Sequence, residues 1–325
     1  AGIELSGRPG PGDINHQTGF PLRIQPDKRG YGAPKTDKDP YVQMKRLYDY
    51  DNGKFKLMQH NHPNISILYF DKDRNGVKDA GFGTEKFTDV LEVRESMYDL
   101  PRALNGGNAV TRSFQWLQML NLGYHILGTA NTDAHAVGNG SGSIFNYVHT
   151  RYDKPENIDP LEIAHAVKDG HVVMSNGPFM TVAVNNALPG STIKALNGRV
   201  NVHVKIMTAN WCRINTVQLI VNGRADSTLL FTSQKDPSDF KNGVTVFNKN
   251  IPVKLAGDAH IIVMAYGSDQ TTSLVSGDKK RMPMALSNPV FVDTDGNGFT
   301  PNMDLMGHPL PAPKGKKAAA DESEE

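Results

Sequence analysis

The chain has 325 residues, more than the roughly 100–200 of a typical domain, which predicts two domains or one large unit with an appendage. Its 35 Lys+Arg nearly balance 34 Asp+Glu, and no basic stripe alternates with aromatic residues, so nothing in the sequence indicates nucleic-acid binding. No apolar run reaches the roughly 18 residues of a membrane helix, and a single cysteine, Cys212, excludes an internal disulfide framework.

The first half of the chain alternates short apolar runs with helical patterns, which is typical of parallel α/β architecture. Residues 1–5 read as a strand already under way, so we expect residues upstream of Ala1. Later predicted strands are Phe55–Met58, Val90–Val93 and Tyr124–Gly128, and predicted helices are Thr111–Leu122 and Pro160–Lys168. Gly123 stands where the first of these helices needs a left-handed C-cap.

Beyond about Leu188 the pattern changes to period-2 alternation, which predicts an antiparallel β-sandwich. The clearest runs are Val200–Met207, Thr216–Val221 and His260–Ala265, and Asn222-Gly223 predicts a hairpin turn. The last residues combine proline, a lysine cluster, three alanines and an acidic end, which predicts a disordered tail. The predicted units are therefore residues 1–187, 188–308 and 309–325.

Two short segments carry residues suited to metal chemistry. Asp133 and His135 follow a strand-like run, so a carboxylate and an imidazole would face one pocket, a mixture that suits zinc, manganese or iron. His60 and His62 follow the run that ends at Met58, and their spacing lets both face one side of an extended segment. The alternative for each is an ordinary surface loop, in which Asp133 caps a turn and the histidines are solvated.

The order of the motifs resembles that of the PHP-domain metallohydrolases, especially the CehA/McbA-like branch. The resemblance is carried by Gly-Ile-Glu-Leu at 2–5, His16 before Phe-Pro, Asn-His-Pro at 61–63, Leu-Glu-Val at 91–93 and Asn-Thr-Asp-Ala-His at 131–135. It continues through Ser-Asn-Gly-Pro-Phe at 175–179 and Asn-Pro-Val-Phe-Val-Asp-Thr-Asp-Gly at 288–296, and so covers essentially residues 1–300.

The resemblance implies the C-terminal part of a distorted (β/α)7 barrel, hence an α/β fold, followed by the sandwich. It implies a site of two or three divalent transition-metal ions (Zn, Mn or Fe) that activates water against a phosphoester or carboxylic ester. Its metal ligands would be Glu4, His16, His62, Asp133 and His135, with Glu4 bridging and Asp133 taking up a proton. His60 and Glu92 would lie in an outer shell.

The chain also departs from the family pattern in two places. Such barrels open with an H-x-H before the Gly-Ile-Glu strand, so we expect an N-terminal barrel fragment carrying H-x-H as a partner that completes the site. Phe145 stands where relatives carry an arginine that would suit an anionic substrate oxygen. Both departures favour an alternative function, a catalytically decayed protein that acts as a structural, assembly or binding subunit.

Two acidic loops have the oxygen spacing of calcium-binding loops. The first contains Asp71, Asp73, Asn75, Gly76 and Asp79, with Phe82 where an EF-hand carries its glutamate. The second contains Asp293, Asp295, Asn297 and Gly298 and reaches Asp304 at the twelfth position. Weak calcium sites suit the millimolar calcium found outside cells, so we expect a periplasmic or extracellular bacterial protein, whereas plain Asx turns are the alternative.

Overall fold

The structure is a computed structural model that describes residues 2–7, 15–71, 73, 75–79, 83–135, 140–268 and 281–312. Within these residues the chain forms sixteen strands in three sheets and four α-helices. In the same part of the chain, every helix is too short or too polar to cross a membrane.

The first sheet has five strands in the order β1-β2-β3-β4-β5. Their bounds are Ile3–Gly7, Asn15–Phe20, Leu57–Asn61, Val90–Glu92 and Leu127–Thr129. The first three strands are antiparallel, and β3, β4 and β5 are parallel. Helix α1, Pro40–Asp49, begins at the capping carboxylate of Asp39 and packs Met44 and Leu47 against Leu5 and Met58 in a small core.

The predicted (β/α)7 barrel is wrong, because the described strands form a mostly β architecture and do not close into a barrel. The strand after β5 is β6, Phe145–Val148, which pairs with β7, Val172–Ser175, in a different sheet. The sequence pattern suggested parallel pairing, yet only two ladders of the first sheet are parallel. Strand periodicity tells which residues alternate and leaves the choice of pairing partner to the tertiary structure.

The second sheet has eight strands and the third has three. The second contains β6, β7, β9 (Thr192–Lys194), β11 (Thr216–Val221), β12 (Arg224–Thr232), β14 (Ala259–Tyr266), β15 (Met284–Ser287) and β16 (Val290–Asp293). The third contains β8 (Phe179–Val184), β10 (Arg199–Met207) and β13 (Thr245–Lys254). The strands of the second and third sheets thus begin at residue 145. The change of sequence pattern falls later, near Leu188, because helix α4, Pro160–Lys168, lies between β6 and β7.

Alternation along β14 connects the layers of the molecule. Ile261 and Val263 face a core shared with the three-stranded sheet, whereas Ile262 and Met264 face a second core that contains Trp116. A strand buried on both faces reads as a continuous apolar run, as β14 does. The eight-stranded sheet is therefore the central layer.

Helix α3, Arg112–Asn121, covers the outer face of this central sheet. It begins after Thr111, whose side chain accepts the N–H of Phe114, and ends before Gly123, which has φ of 87°. The predictions of helices α3 and α4 are therefore confirmed within one residue. The Trp116 indole N–H donates to the carbonyl of Ile126, which ties the helix to the approach to β5.

The start of the predicted tail lies against the first half of the molecule. Leu310 is buried in the core beside α3, and the N–H of Ala312 donates to the hydroxyl of Ser66. Residues 313–325 lie outside the described part of the chain.

The short helix α2, Leu100–Leu104, precedes α3. Short 3-10 or π-helical segments occur at Arg29–Gly32, Ser66–Phe70, Thr84–Phe87, Arg94–Asp99 and Pro155–Asn157.

Candidate functional site

One face of the five-stranded sheet is polar at the end where β3, β4 and β5 terminate, and its composition there follows from strand register. Glu4 pairs with Thr18, which pairs with Gln59, and Ser6 pairs with His16, which pairs with Asn61. Paired residues project to the same side of a sheet, and residues two apart share that side. We call this surface the polar face; its members are Glu4, Ser6, His16, Thr18, Gln59, Asn61, Glu92 and Thr129.

Glu4 is the centre of the interactions on the β1 side of the polar face. Its Oε1 lies 3.1 Å from His16 Nδ1 and accepts the Ser6 hydroxyl at 3.3 Å. Its Oε2 accepts the side-chain amide of Asn61 at 2.7 Å. Neighbours on both sides therefore fix this carboxylate, although 41% of its side-chain surface stays exposed.

Amide and hydroxyl groups extend the network across the sheet. Asn61 Nδ2 also donates to Thr18 Oγ1 at 2.9 Å, and Gln59 Nε2 donates to Asn61 Oδ1 at 2.8 Å. The Thr129 hydroxyl donates to Gln59 Oε1 at 2.9 Å, which links β5 to β3. Because each amide is bonded through both of its ends, the network gives Asn61 one orientation toward Glu4.

His62 leaves the strand in a strained conformation. It follows the last residue of β3 and has φ of 31°, which non-glycine residues adopt only at a cost of about 1–3 kcal/mol. Its N–H donates to Glu92 Oε2 at 2.8 Å, and its carbonyl accepts from Arg112 at 3.1 Å. This turn carries the His62 ring to the polar face, where its centroid lies 5.1 Å from that of His16.

Asp133 lies between two imidazoles after the end of β5. Its Oδ2 is 3.5 Å from His62 Nε2 and its Oδ1 is 3.8 Å from His135 Nε2. Asp133 also has a positive φ, 51°, and Asn146 of β6 holds the approaching chain by two hydrogen bonds to the backbone of Ala130. The carboxylate is mostly buried, whereas His135 is 70% exposed.

The five predicted metal ligands thus form a row of neighbours at the end of the sheet, in the order Glu4, His16, His62, Asp133, His135. The carboxyl ends of parallel strands β3, β4 and β5 meet there, where α/β sheets place their ligand sites. Their contacts are pairwise, since no three of their donor atoms in the described structure lie within 4.8 Å of one another. The donor types fit a transition metal, and side-chain movement would be needed for three to ligate one ion.

His60 lies on the opposite face of β3, so the structure places it away from the predicted outer shell. Its Nδ1 is 2.5 Å from the Tyr69 hydroxyl and its Nε2 is 2.8 Å from Gln17 Nε2. Burial lowers the pKa of His60 to about 3. The two-residue spacing failed to unite His60 and His62 because β3 ends at Asn61. Glu92, by contrast, accepts the backbone N–H of His62.

Both acidic loops bring three carboxylates together. Oxygens of Asp71, Asp73 and Asp79 lie within 4.8 Å of one another, as do those of Asp258, Asp293 and Asp295. Each loop also satisfies its carboxylates internally. Asp71 accepts the N–H groups of Asn75 and Gly76, and Asp293 accepts those of Gly296 and Gly298.

The second loop differs from its sequence prediction in one ligand. The Asp304 carboxylate accepts two hydrogen bonds from Arg224, which hold its pKa below the usual range. Asp258 stands with Asp293 and Asp295 instead, and its oxygens also accept the N–H groups of Thr294 and Thr300. Asp258 lies in a turn far away in sequence, so loop spacing could not identify it. The Asn75 side chain donates to Asp73 and accepts the N–H of Val77, whereas Asn297 donates to Asp295 from both its backbone and its side chain.

Phe145 occupies the first position of β6, beside Tyr147, with ring centroids 5.0 Å apart. Tyr147 in turn contacts Phe179. A row of aromatic rings therefore stands where the family resemblance implied an arginine. An aromatic ring supplies no charge-assisted hydrogen bond to an anion.

Sequence reasoning missed the neutral members of the polar face and Arg112. Thr18, two residues after His16, and Asn61, two after Gln59, could have been found by extending period-2 alternation through β2 and β3. Arg112 carried no local signal, because it reaches His62 from the first turn of a distant helix.

Comparisons of the chain with protein-family models, with curated proteins and with solved structures gave no match.

Proposed function

We propose that the polar face, with His62, Asp133 and His135, binds divalent transition-metal ions and hydrolyses a phosphoester or carboxylic ester. The observation that supports the proposal is the unbroken row from Glu4 to His135 of alternating carboxylates and imidazoles. The motif order shared with PHP-domain metallohydrolases supports the same chemistry. The proposal concerns the site and not a barrel fold.

The residues would divide the chemistry between them. After side-chain movement, Asp133, His62 and His135 would supply the donors for one ion, and Glu4 with His16 would supply donors for another. This mixture of carboxylate and imidazole suits zinc, manganese or iron. A bound ion supplies Lewis-acid activation of the ester and of water. Asp133, whose carboxylate lies near the imidazoles of His62 and His135, would take up a proton. Asn61 donates to the Glu4 carboxylate and would orient it to hold a metal ion.

Further ligands would approach from the open side of the row. Glu4 and His135 are its two exposed ends, at 41% and 70% exposure of their side chains. An N-terminal segment that carries H-x-H, as in the PHP proteins, would add imidazoles there and could belong to a partner chain. This proposal is tested by intact-mass analysis of what co-purifies with the chain.

The direct experiment measures metal content and hydrolysis together. Protein loaded with zinc, manganese or iron is assayed against aryl phosphoesters and aryl carboxylic esters. We expect His62→Ala and Asp133→Ala to reduce bound metal and to lower activity at least about 100-fold, because each removes a donor. His203→Ala on β10 is the matched control, since it removes an imidazole far from the row. Activity at the parent level in both site variants would refute the proposal.

A structural or assembly subunit is the second candidate function. It is favoured by the pairwise rather than threefold convergence of the ligands and by Phe145 in place of a cation. The two functions differ in one cheap measurement. Stoichiometric transition metal in the purified protein supports the enzyme, and its absence after reconstitution supports the scaffold.

Calcium is a separate proposal for the two acidic loops, supported by their carboxylate convergence. Three carboxylates supply hard oxygen ligands, and binding would be modest because backbone N–H groups already use several of their lone pairs. Such weak sites suit a periplasmic or extracellular protein.

A further inference from the structure

Two side chains of opposite charge bind the backbone of His62 from different elements. Glu92, the last residue of β4, accepts the His62 N–H at Oε2, 2.8 Å away. Arg112, the first residue of α3, donates to the His62 carbonyl at 3.1 Å and to the Pro63 carbonyl at 3.1 Å. Both polar backbone atoms of one residue are thereby fixed by charged groups.

The direction of the His62 ring depends on that backbone. Continued alternation along β3 would send His62 to the face of His60 and Met58, away from Glu4. The φ of 31° reverses this direction and sets the ring beside His16 and Asp133. A strained conformation persists only where its surroundings over-determine it.

We propose that Glu92 and Arg112 are positioning residues that hold this left-handed backbone and so aim the His62 imidazole at Asp133. We call the pair the Glu92–Arg112 clamp. The carboxylate of Glu92, which is 2% exposed, makes a charge-assisted bond to the N–H. The guanidinium reaches two successive carbonyls at once, which a lysine ammonium does with less geometric definition. The functional consequence of the clamp rests on the proposed function, whereas its geometry does not.

The geometry is tested without any metal. In protein with labelled histidine and tyrosine, we expect a nuclear Overhauser effect between the His16 and His62 rings, whose centroids are 5.1 Å apart. The effect should disappear in Glu92→Ala and Arg112→Met and persist, weakened, in Glu92→Gln and Arg112→Lys. The His60–Tyr69 contact, also at 5.1 Å, joins β3 to the Ser66–Phe70 turn and reports that the packing around β3 is intact. A His16–His62 effect of parent intensity in both truncated variants would overturn the clamp.

Metal affinity gives an independent measure. We expect Glu92→Ala to weaken Co²⁺ binding by about 10–100-fold, with substantial recovery in Glu92→Gln, since groups that orient a ligand have effects of this size. Arg224→Met is the matched control, because it removes an ion pair remote from His62. If the parent protein binds no Co²⁺, the proposed function fails, and the ring contacts still decide the clamp. If Glu92→Ala does not fold, Glu92→Gln and Arg112→Lys decide it by their effect on the same contacts.

Discussion

Side chains alternate between the two faces of the strand both in β3, which carries part of the polar face, and in the buried strand β14, yet the two strands bury different kinds of residue. Along β14 both faces are covered, so Ile261, Ile262 and Val263 are all apolar. Along β3 one face packs Met58 into the small apolar core with α1, and the other presents Gln59 and Asn61 to the hydrogen-bond network around Glu4. The difference teaches that the candidate site lies where one face of a strand meets a network of hydrogen-bonding side chains instead of a second apolar core. Both strands carry a fully buried histidine, His60 on the face of β3 opposite the polar face and His260 on β14.

The largest expected effect is the loss of folding stability at low pH, and it involves a buried histidine in each of the two regions. Burial lowers the pKa of His60 and of His260 to about 3, from an ordinary value of 6.5. The unfolded chain therefore takes up these protons first, so stability is full above pH 6.5 and is lost as the pH falls toward 3. The two histidines together should lower the free energy of unfolding by on the order of 6 kcal/mol by pH 4.

Urea unfolding at a series of pH values measures this loss. His60→Gln and His260→Gln should each remove about half of the histidine contribution to the slope, because glutamine does not titrate. His203→Gln on β10 should leave the slope unchanged. An unaltered slope in both buried variants would show that other groups cause the acid sensitivity.

The next largest effects are expected from truncating one core side chain in each of two regions, the core between the second and third sheets and the small core under β1–β3. Phe247→Ala, in the core between the second and third sheets, should cost about 3–5 kcal/mol, whereas Leu47→Ala, in the small core under β1–β3, should cost about 2–3 kcal/mol. Denaturant titration followed by circular dichroism measures both. Only Leu47→Ala should disturb the His16–His62 contact, and disturbance by Phe247→Ala alone would contradict the separation.

Asn61→Asp tests the amide network of the polar face. The substitution replaces the donor that lies 2.7 Å from Glu4 Oε2 with a second carboxylate. We expect the free energy of unfolding to fall by about 1–3 kcal/mol at pH 7, because the substitution removes this hydrogen bond and brings two negative charges together. Added salt should reduce the loss by screening their repulsion. Asn248→Asp on β13, beside His203, is the control. Equal and salt-independent losses at both positions would contradict a specific role.

Calcium removal tests the acidic loops. At a calcium concentration ten times the dissociation constant, one site should add about 1.4 kcal/mol to the free energy of unfolding. Thermal unfolding with calcium, magnesium or chelator measures this stabilisation. Asp293→Asn and Asp71→Asn should each remove the stabilisation that comes from its own loop. No difference between calcium and chelator would identify both loops as self-satisfied turns.

The smallest effect is expected at the Arg224–Asp304 ion pair. Its side chains are 60% and 33% exposed, so solvent screens the pair. Arg224→Met should change stability by about 0.5 kcal/mol, measured by denaturant titration in low and high salt. A loss several times larger would show that the two hydrogen bonds anchor the chain near Met306.

Local patterns in the sequence identified individual elements well. Helix α3 ends before Gly123 as predicted, α4 spans the predicted Pro160–Lys168, and Asn222-Gly223, both with positive φ, forms the turn between β11 and β12. These features depend on residues a few positions apart, which is why they could be read directly. The row of candidate ligands was also named from the sequence, although its convergence on an ion remains a prediction.

The barrel prediction and the placement of His60 failed for a shared reason. Both required knowledge of what lies on the far side of a strand, and neighbouring residues carry no such information. Likewise, Asp258 and Arg112 reach their partners across long stretches of chain.

The sequence by itself determined which residues alternate, where helices begin and end, and most of the candidate cation-binding side chains, because these are short-range properties of the chain. Only the tertiary structure decided that β6 leaves the first sheet, that His62 turns away from His60, and that Glu92 and Arg112 hold it there. Those outcomes depend on pairing and packing between distant segments, where small differences in burial and hydrogen bonding select one arrangement.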